Sequence, residues 1–170
     1  MSIAKSGKIS PEMREVAESE KTTPETIREK IAEGKVVITK NICHEIKPLG
    51  VGAGLSTKVN ANIGSSMDDA SLEKELEKLD VAVRVGADAI MDLSTGGNIN
   101  AIRKAIISKS KVPVGTVPIY QIACENIQNN RSLMDMTGED MFEIIEQHGR
   151  EGVDFITVHC GVTQESVKRL

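Results

Sequence analysis

Apolar positions recur along this chain in two periods. Leu72, Leu76, Leu79 and Val83 stand at helical spacing with charged residues between them, and Ile99, Ile102 and Ile106 repeat the pattern. Such a stripe runs down one side of an α-helix, so helices are predicted over residues 67–86 and 98–108. Between and beyond these stripes lie short, nearly uninterrupted apolar runs. Residues 59–63, 87–93, 112–117 and 153–158 are predicted strands, and the continuous apolar character of most of them is what burial on both faces requires. Further helices are predicted over 120–129, 138–149 and 163–170. The order after residue 58 is therefore β-α-β-α-β-α-α-β-α. Strands that alternate with helices imply parallel pairing, because each return crossover needs a helix. The fold class is α/β, and two architectures accommodate it: an open doubly wound sheet, or about half of a TIM-type (βα)8 barrel.

Residues 1–57 read differently, as a helical and loop segment ahead of the βα units of 58–170. Thr23, Pro24 and Glu25 form a helix start: an N-cap hydroxyl, proline at the first helical position and an acid near the positive end of the dipole. Gly34 stops that helix, and residues 36–38 are a predicted strand. Residues 41–57 hold Pro48, Gly50, Gly52 and Gly54 and read as turns. Those glycines do not match the G-x-G-x-x-G spacing of a dinucleotide loop, and no helix follows them.

A chain of 170 residues suffices for one core. Its formal net charge of -4 argues against a nucleic-acid binder, which needs clustered Lys and Arg. No run approaches the ~20 apolar residues that span a bilayer, and Met1 to Arg14 hold no apolar signal region. Cys43, Cys124 and Cys160 are far apart in sequence, which excludes a local zinc ribbon or redox pair and suits reduced thiols in a cytoplasmic protein.

Candidate chemistry gathers at the predicted strand ends. Asn62, Met91 and Tyr120 are each 29 residues apart, and His159 follows 39 residues later across two helices. Each lies at or just past the C-terminal end of a strand, the rim where barrels carry function. Asn60 and Asn62 stand in a strand that disfavours Asn, either as ligand-facing amides or as turn caps. The run Asp92, Leu93, Ser94, Thr95, Gly96, Gly97 is either a helix-start anion site or a tight turn with a Ser or Thr cap. Gly115 within a strand signals close approach by a backbone or a ligand. Tyr120, the sole tyrosine, is either a ligand-facing ring or a packed surface residue. His159 is a general base, a hydrogen-bond donor or a core histidine, and a Cys160–His159 pair would make a different α/β enzyme.

Ile9 to Val16, Asn41 with His44, Thr57 to Ser66 with its Asn-Ala-Asn-Ile-Gly run, Met91 to Gly97, Val114 to Tyr120, and His159 to Val162 occur in order along nearly the whole chain. In this set the sequence resembles the N-terminal portion of the phosphomethylpyrimidine synthase family of thiamine biosynthesis. The resemblance implies a (βα)8 barrel and a radical S-adenosylmethionine lyase that turns aminoimidazole ribotide into hydroxymethylpyrimidine phosphate. It implies a [4Fe–4S] cluster, S-adenosylmethionine and zinc as cofactors. It assigns Asn62, Met91, Tyr120 and His159 to substrate binding, and no catalytic residue or metal ligand to this chain. Cys43 stands beside His44 where the family has Asn. The family's later ribotide contacts, two zinc histidines and C-x-x-C-x-x-x-x-C motif are absent from these 170 residues. The expectations are that the chain alone is inactive, and that it pairs with further copies or with a C-terminal half. The alternative is a catalytically incompetent half-barrel or a truncated product that binds and associates.

Overall fold

The computed structural model describes residues 1–161 and 163–168. Its first portion comprises α1 (Ser2–Lys5), α2 (Pro11–Ser19) and α3 (Pro24–Ala32), followed by β1 (Val36–Thr39) antiparallel to β2 (Leu49–Gly52). The predicted start of α3 is present: Thr23 Oγ1 accepts from the Thr26 amide at 3.2 Å, with Pro24 opening the helix. Ser10 and Pro11 open α2 in the same way. The apolar stripes of these helices, with Ala4 and Val36, close into a small core. Strand β2 was not predicted, since Pro48, Gly50 and Gly52 read as turns. It forms because Gly52, at φ 147°, lies against the Lys35 and Val36 backbone, where any side chain would collide.

The second portion runs β3 (Asn60–Ile63), α4 (Leu72–Arg84), β4 (Ala89–Asp92), α5 (Ile99–Lys109), β5 (Val114–Thr116), α6 (Pro118–Gln128), α7 (Gly138–Glu151), β6 (Phe155–Ile156) and α8 (Gln164–Val167). The predicted order holds. The four strands make one parallel sheet in the order β3-β4-β5-β6, each beside its predecessor. A doubly wound sheet reverses its strand order at a switch point, and the described strands contain no such reversal. Several boundaries differ. Helix α4 begins at Leu72 rather than residue 67 because Ser71 is the cap, accepting from the Lys74 amide at 3.3 Å. Helix α6 begins at Pro118, since proline suits a first helical position. Of the predicted helix over 163–170, Arg169 and Leu170 lie outside the described residues.

Register divides the sheet into two faces. Asn62, Met91, Gly115 and Phe155 form one row; Ile63, Asp92, Thr116 and Ile156 form the next. Consecutive residues on a strand point to opposite faces. Ala61, Ile63, Ile90 and Val114 pack with Leu79, Ile102, Ile106 and Ile107 into the main core, so that face meets α4 and α5. Asn60, Asn62, Met91, Gly115 and Phe155 therefore share the opposite, open face.

Asp154 joins the two portions at the N-terminal ends of β5 and β6. Its carboxylate accepts from the Asn41 amide at 2.7 Å and the Val114 amide at 2.8 Å, and lies 2.7 Å from His44 Nδ1. Asn41 Nδ2 adds bonds to the Gly149 and Val153 carbonyls.

Candidate functional site

The four rim positions arrive as two pairs. Asn62 and Met91 are register partners on the open face of β3 and β4. Met91 is 8% exposed, whereas Asn62 is exposed and accepts from Asn60 Nδ2 at 3.0 Å. The two amides that disfavour a strand thus satisfy each other in part and keep capacity toward the open face. Tyr120 follows the end of β5 by four residues, just past the strand as expected. It lies in the first turn of α6, and its ring stacks on that of His159, with centroids 6.3 Å apart and planes at 28°. His159 sits in the exposed loop after β6. Gly115 follows Met91 in the same row of the open face. The close approach expected at Gly115 is made by the Phe155 ring, which occupies the space a side chain there would need. A cleft of about 280 Å³ adjoins Tyr120 and is lined by Met67, Thr95, Cys124 and Ile127. A larger cleft of about 650 Å³ lies against α2, α3 and β1, away from the rim.

The loops that carry this rim are locked to one another. Ser65 N–H donates to Ser94 Oγ at 3.1 Å, Ser65 Oγ donates to the Gly96 carbonyl at 2.7 Å, and the Thr95 amide donates to the Ser65 carbonyl at 2.9 Å. Asp92 accepts from both the amide and the hydroxyl of Ser94. Burial raises its pKa against those two bonds and the charge of Arg103. Gly96 lies so close to the Ser66 backbone that a Cβ would collide with it. The Asp-Leu-Ser-Thr-Gly-Gly run is therefore a tight turn that braces its neighbour loop. Its cap is Asn98, accepting from the Ala101 amide at 3.0 Å, rather than Ser or Thr.

Two buried charges were missed from the sequence. Glu75, 1% exposed, accepts from the Gly64 amide at 2.9 Å and pairs with Lys78 at 2.6 Å. Arg103, also 1% exposed, donates to Glu151, Asn100 and Gln121. Gln121 accepts in turn from His148 Nε2 at 2.8 Å, and His148 Nδ1 meets the Thr116 hydroxyl at 2.9 Å. Burial first, then the Arg103 charge, lower the His148 pKa to about 4. Both buried charges sit at i+3 or i+4 within an apolar stripe: Glu75 between Leu72 and Leu79, Arg103 between Ile99 and Ile106. A charge inside such a stripe was the available signal.

Cys43 and Cys160 are exposed, and the Cys124 thiol donates to the Thr95 carbonyl at 3.2 Å with its pKa raised by burial. Among the described residues no three His, Cys, Asp or Glu side chains converge on a point a metal could occupy. Nor is any described helix long and apolar enough to cross a membrane.

Comparison with known proteins places these features in context. The sequence profile of the radical SAM ThiC family matches residues 1–170. The phosphomethylpyrimidine synthase of Thermodesulfovibrio yellowstonii is 54% identical over 168 residues, covering 99% of this chain and 39% of the relative. That of Syntrophus aciditrophicus is 52% identical over 171 residues, covering 100% of this chain and 40% of the relative. That of Methanocaldococcus jannaschii is 50% identical over 170 residues, with the same coverage of 100% and 40%. The chain thus spans about 40% of the length of these relatives.

Proposed function

The chain belongs to the radical SAM ThiC family, and on that premise we propose that it serves thiamine biosynthesis by holding aminoimidazole ribotide for conversion to hydroxymethylpyrimidine phosphate. In this reading residues 58–170 are the first four βα units of a (βα)8 barrel, and residues 1–57 a helical segment ahead of them. The sequential strand order supports it, since a barrel adds each parallel strand beside the last.

The observation that carries the reading is the arrival of Asn62, Met91, Tyr120 and His159 as two pairs at one end of the sheet. Asn62 would donate to and accept from the heteroatoms of the imidazole and ribose. The Tyr120–His159 stack offers a flat surface to the imidazole ring, and the Met91 thioether a soft apolar contact. The radical in this chemistry comes from a [4Fe–4S] cluster and S-adenosylmethionine when these are bound, and the family also implies zinc. The donor set described above does not fit a cluster or a zinc ion, so the part proposed for this chain is to bind and orient the substrate.

Equilibrium titration of the 170-residue chain with aminoimidazole ribotide tests the reading. Saturable binding is expected, and His159→Ala should weaken it about tenfold through loss of one stacking partner. Equal affinity in Asn62→Ala, Tyr120→Ala and His159→Ala would sink the assignment.

A further inference from the structure

We propose that Gln121 is a positioning residue for Tyr120: gripped by Arg103 and His148, it fixes the rotation of the first turn of α6 and so aims the neighbouring ring. The functional meaning of this inference rests on the ribotide reading above, while its geometry does not.

Helix α6 lacks what holds the starts of its neighbours. Helices α2, α3, α4, α5 and α7 each have an N-cap side chain that accepts from the first turn. The N-cap of α6 is Val117, which makes no such bond, and Pro118 offers no N–H. The first turn is instead held from the side. Gln121 is 2% exposed, and its amide is fully engaged. Arg103 can only donate, so the atom it meets is Oε1, and the same oxygen faces His148 Nε2. His148 must then carry its proton on Nε2 and leave Nδ1 to accept from the Thr116 hydroxyl. Gln121 Nε2 donates to Asn100 Oδ1 at 3.1 Å and to Glu125 Oε1 at 2.7 Å. Glu151 holds Arg103 from the far side at 2.6 Å. Groups from α5 and α7 therefore converge on one amide of α6, and Thr116 of β5 holds His148 from behind.

Tyr120 is the residue before Gln121, so any rotation of the turn moves its ring. With a backbone radius of about 2.3 Å, a tyrosine hydroxyl lies roughly 9 Å from the helix axis. A rotation of about 10° then shifts it by about 1.5 Å, and misplacement on the order of 1 Å costs about 100-fold in a positioned reaction.

The test uses the fact that Tyr120 is the sole tyrosine in a chain without tryptophan, so the near-ultraviolet tyrosine dichroism reports on it alone. Gln121→Met keeps the volume and removes the bonds; Gln121→Glu keeps an oxygen for both Arg103 and His148 but gives up the donor to Asn100 and Glu125. Ile107→Ala empties part of the core on α5 without removing any of these hydrogen bonds, and serves as a stability control. Gln121→Met is expected to lose the tyrosine band while retaining the far-ultraviolet helix signal, and Gln121→Glu to restore part of the band. Ile107→Ala is expected to melt at a lower temperature with the band unchanged. A band retained in Gln121→Met, or lost equally in Ile107→Ala, overturns the proposal. Should Gln121→Met fail to fold, Arg103→Lys keeps the charge, gives up the fork and is read by the same criterion. Ribotide affinity is measured separately. A chain that shows the expected bands but binds no ribotide keeps the positioning role and loses the ribotide reading. A chain that binds ribotide, with band and affinity both unaltered by Gln121→Met, loses the positioning role.

Discussion

Replacing Asp154 by alanine should cost more stability than any single polar substitution on the surface of this protein. The Asp154 side chain is 0% exposed. It faces three donors at 2.7–2.8 Å: the Asn41 amide, the Val114 amide and His44 Nδ1. Alanine leaves all three without an acceptor. A buried donor that loses its partner costs about 1–3 kcal/mol, so for three donors a total of at least about 4 kcal/mol is expected. That is a large share of the ~5–15 kcal/mol that holds a domain together. Asp154→Asn keeps one acceptor oxygen and turns an N–H2 toward a donor, so about half the loss is expected. Urea unfolding measures the totals, and amide hydrogen exchange locates them. The Asn41 and Val114 amides should exchange faster, while that of Ile90, in the β4 core, should follow global unfolding only. An Asp154→Ala chain within about 1 kcal/mol of the parent would refute the reasoning, because it would mean that these donors are no worse off in water.

Acid should destabilise the protein through His148. The fold holds it neutral with a pKa near 4, against 6.5 for the free side chain, so its contribution is complete above pH 6.5 and vanishes as the pH falls toward 4. The shift corresponds to about 3 kcal/mol. Urea midpoints measured across that range should fall in the parent and fall less in His148→Gln; parallel curves would remove His148 as the cause. Gly96→Ala should lose about 1–3 kcal/mol, because its Cβ meets the Ser66 backbone, which cannot rotate away. Gly138→Ala, in the first turn of α7 with open space around it, should be neutral or gain up to about 1 kcal/mol, and the reverse ranking in thermal melts would show the loop lock to be absent.

Much of the architecture was legible because local physics wrote it. Leu72, Leu76, Leu79 and Val83 could lie on one side of only a helix, and Thr23 with Pro24 could start one with no help from the rest of the chain. The order of strands and helices followed from the same stripes, and the even spacing of Asn62, Met91 and Tyr120 pointed to one end of the sheet. The turn formers at Pro48, Gly50 and Gly52 misled, because a strand made by Gly52 fitting against the Lys35 backbone leaves no periodic trace.

The sequence by itself determined the element order, the parallel α/β class and the four candidate positions, since each depends on period, cap or spacing within a single segment. The tertiary structure alone decided how those positions pair: Tyr120, in the first turn of α6, met His159 from a loop 39 residues away. It alone gave work to His44, Arg103, His148 and Asp154. Most of their partners lie between 18 and 113 residues distant, and a buried polar group is explained only by the groups brought to it when the chain closes.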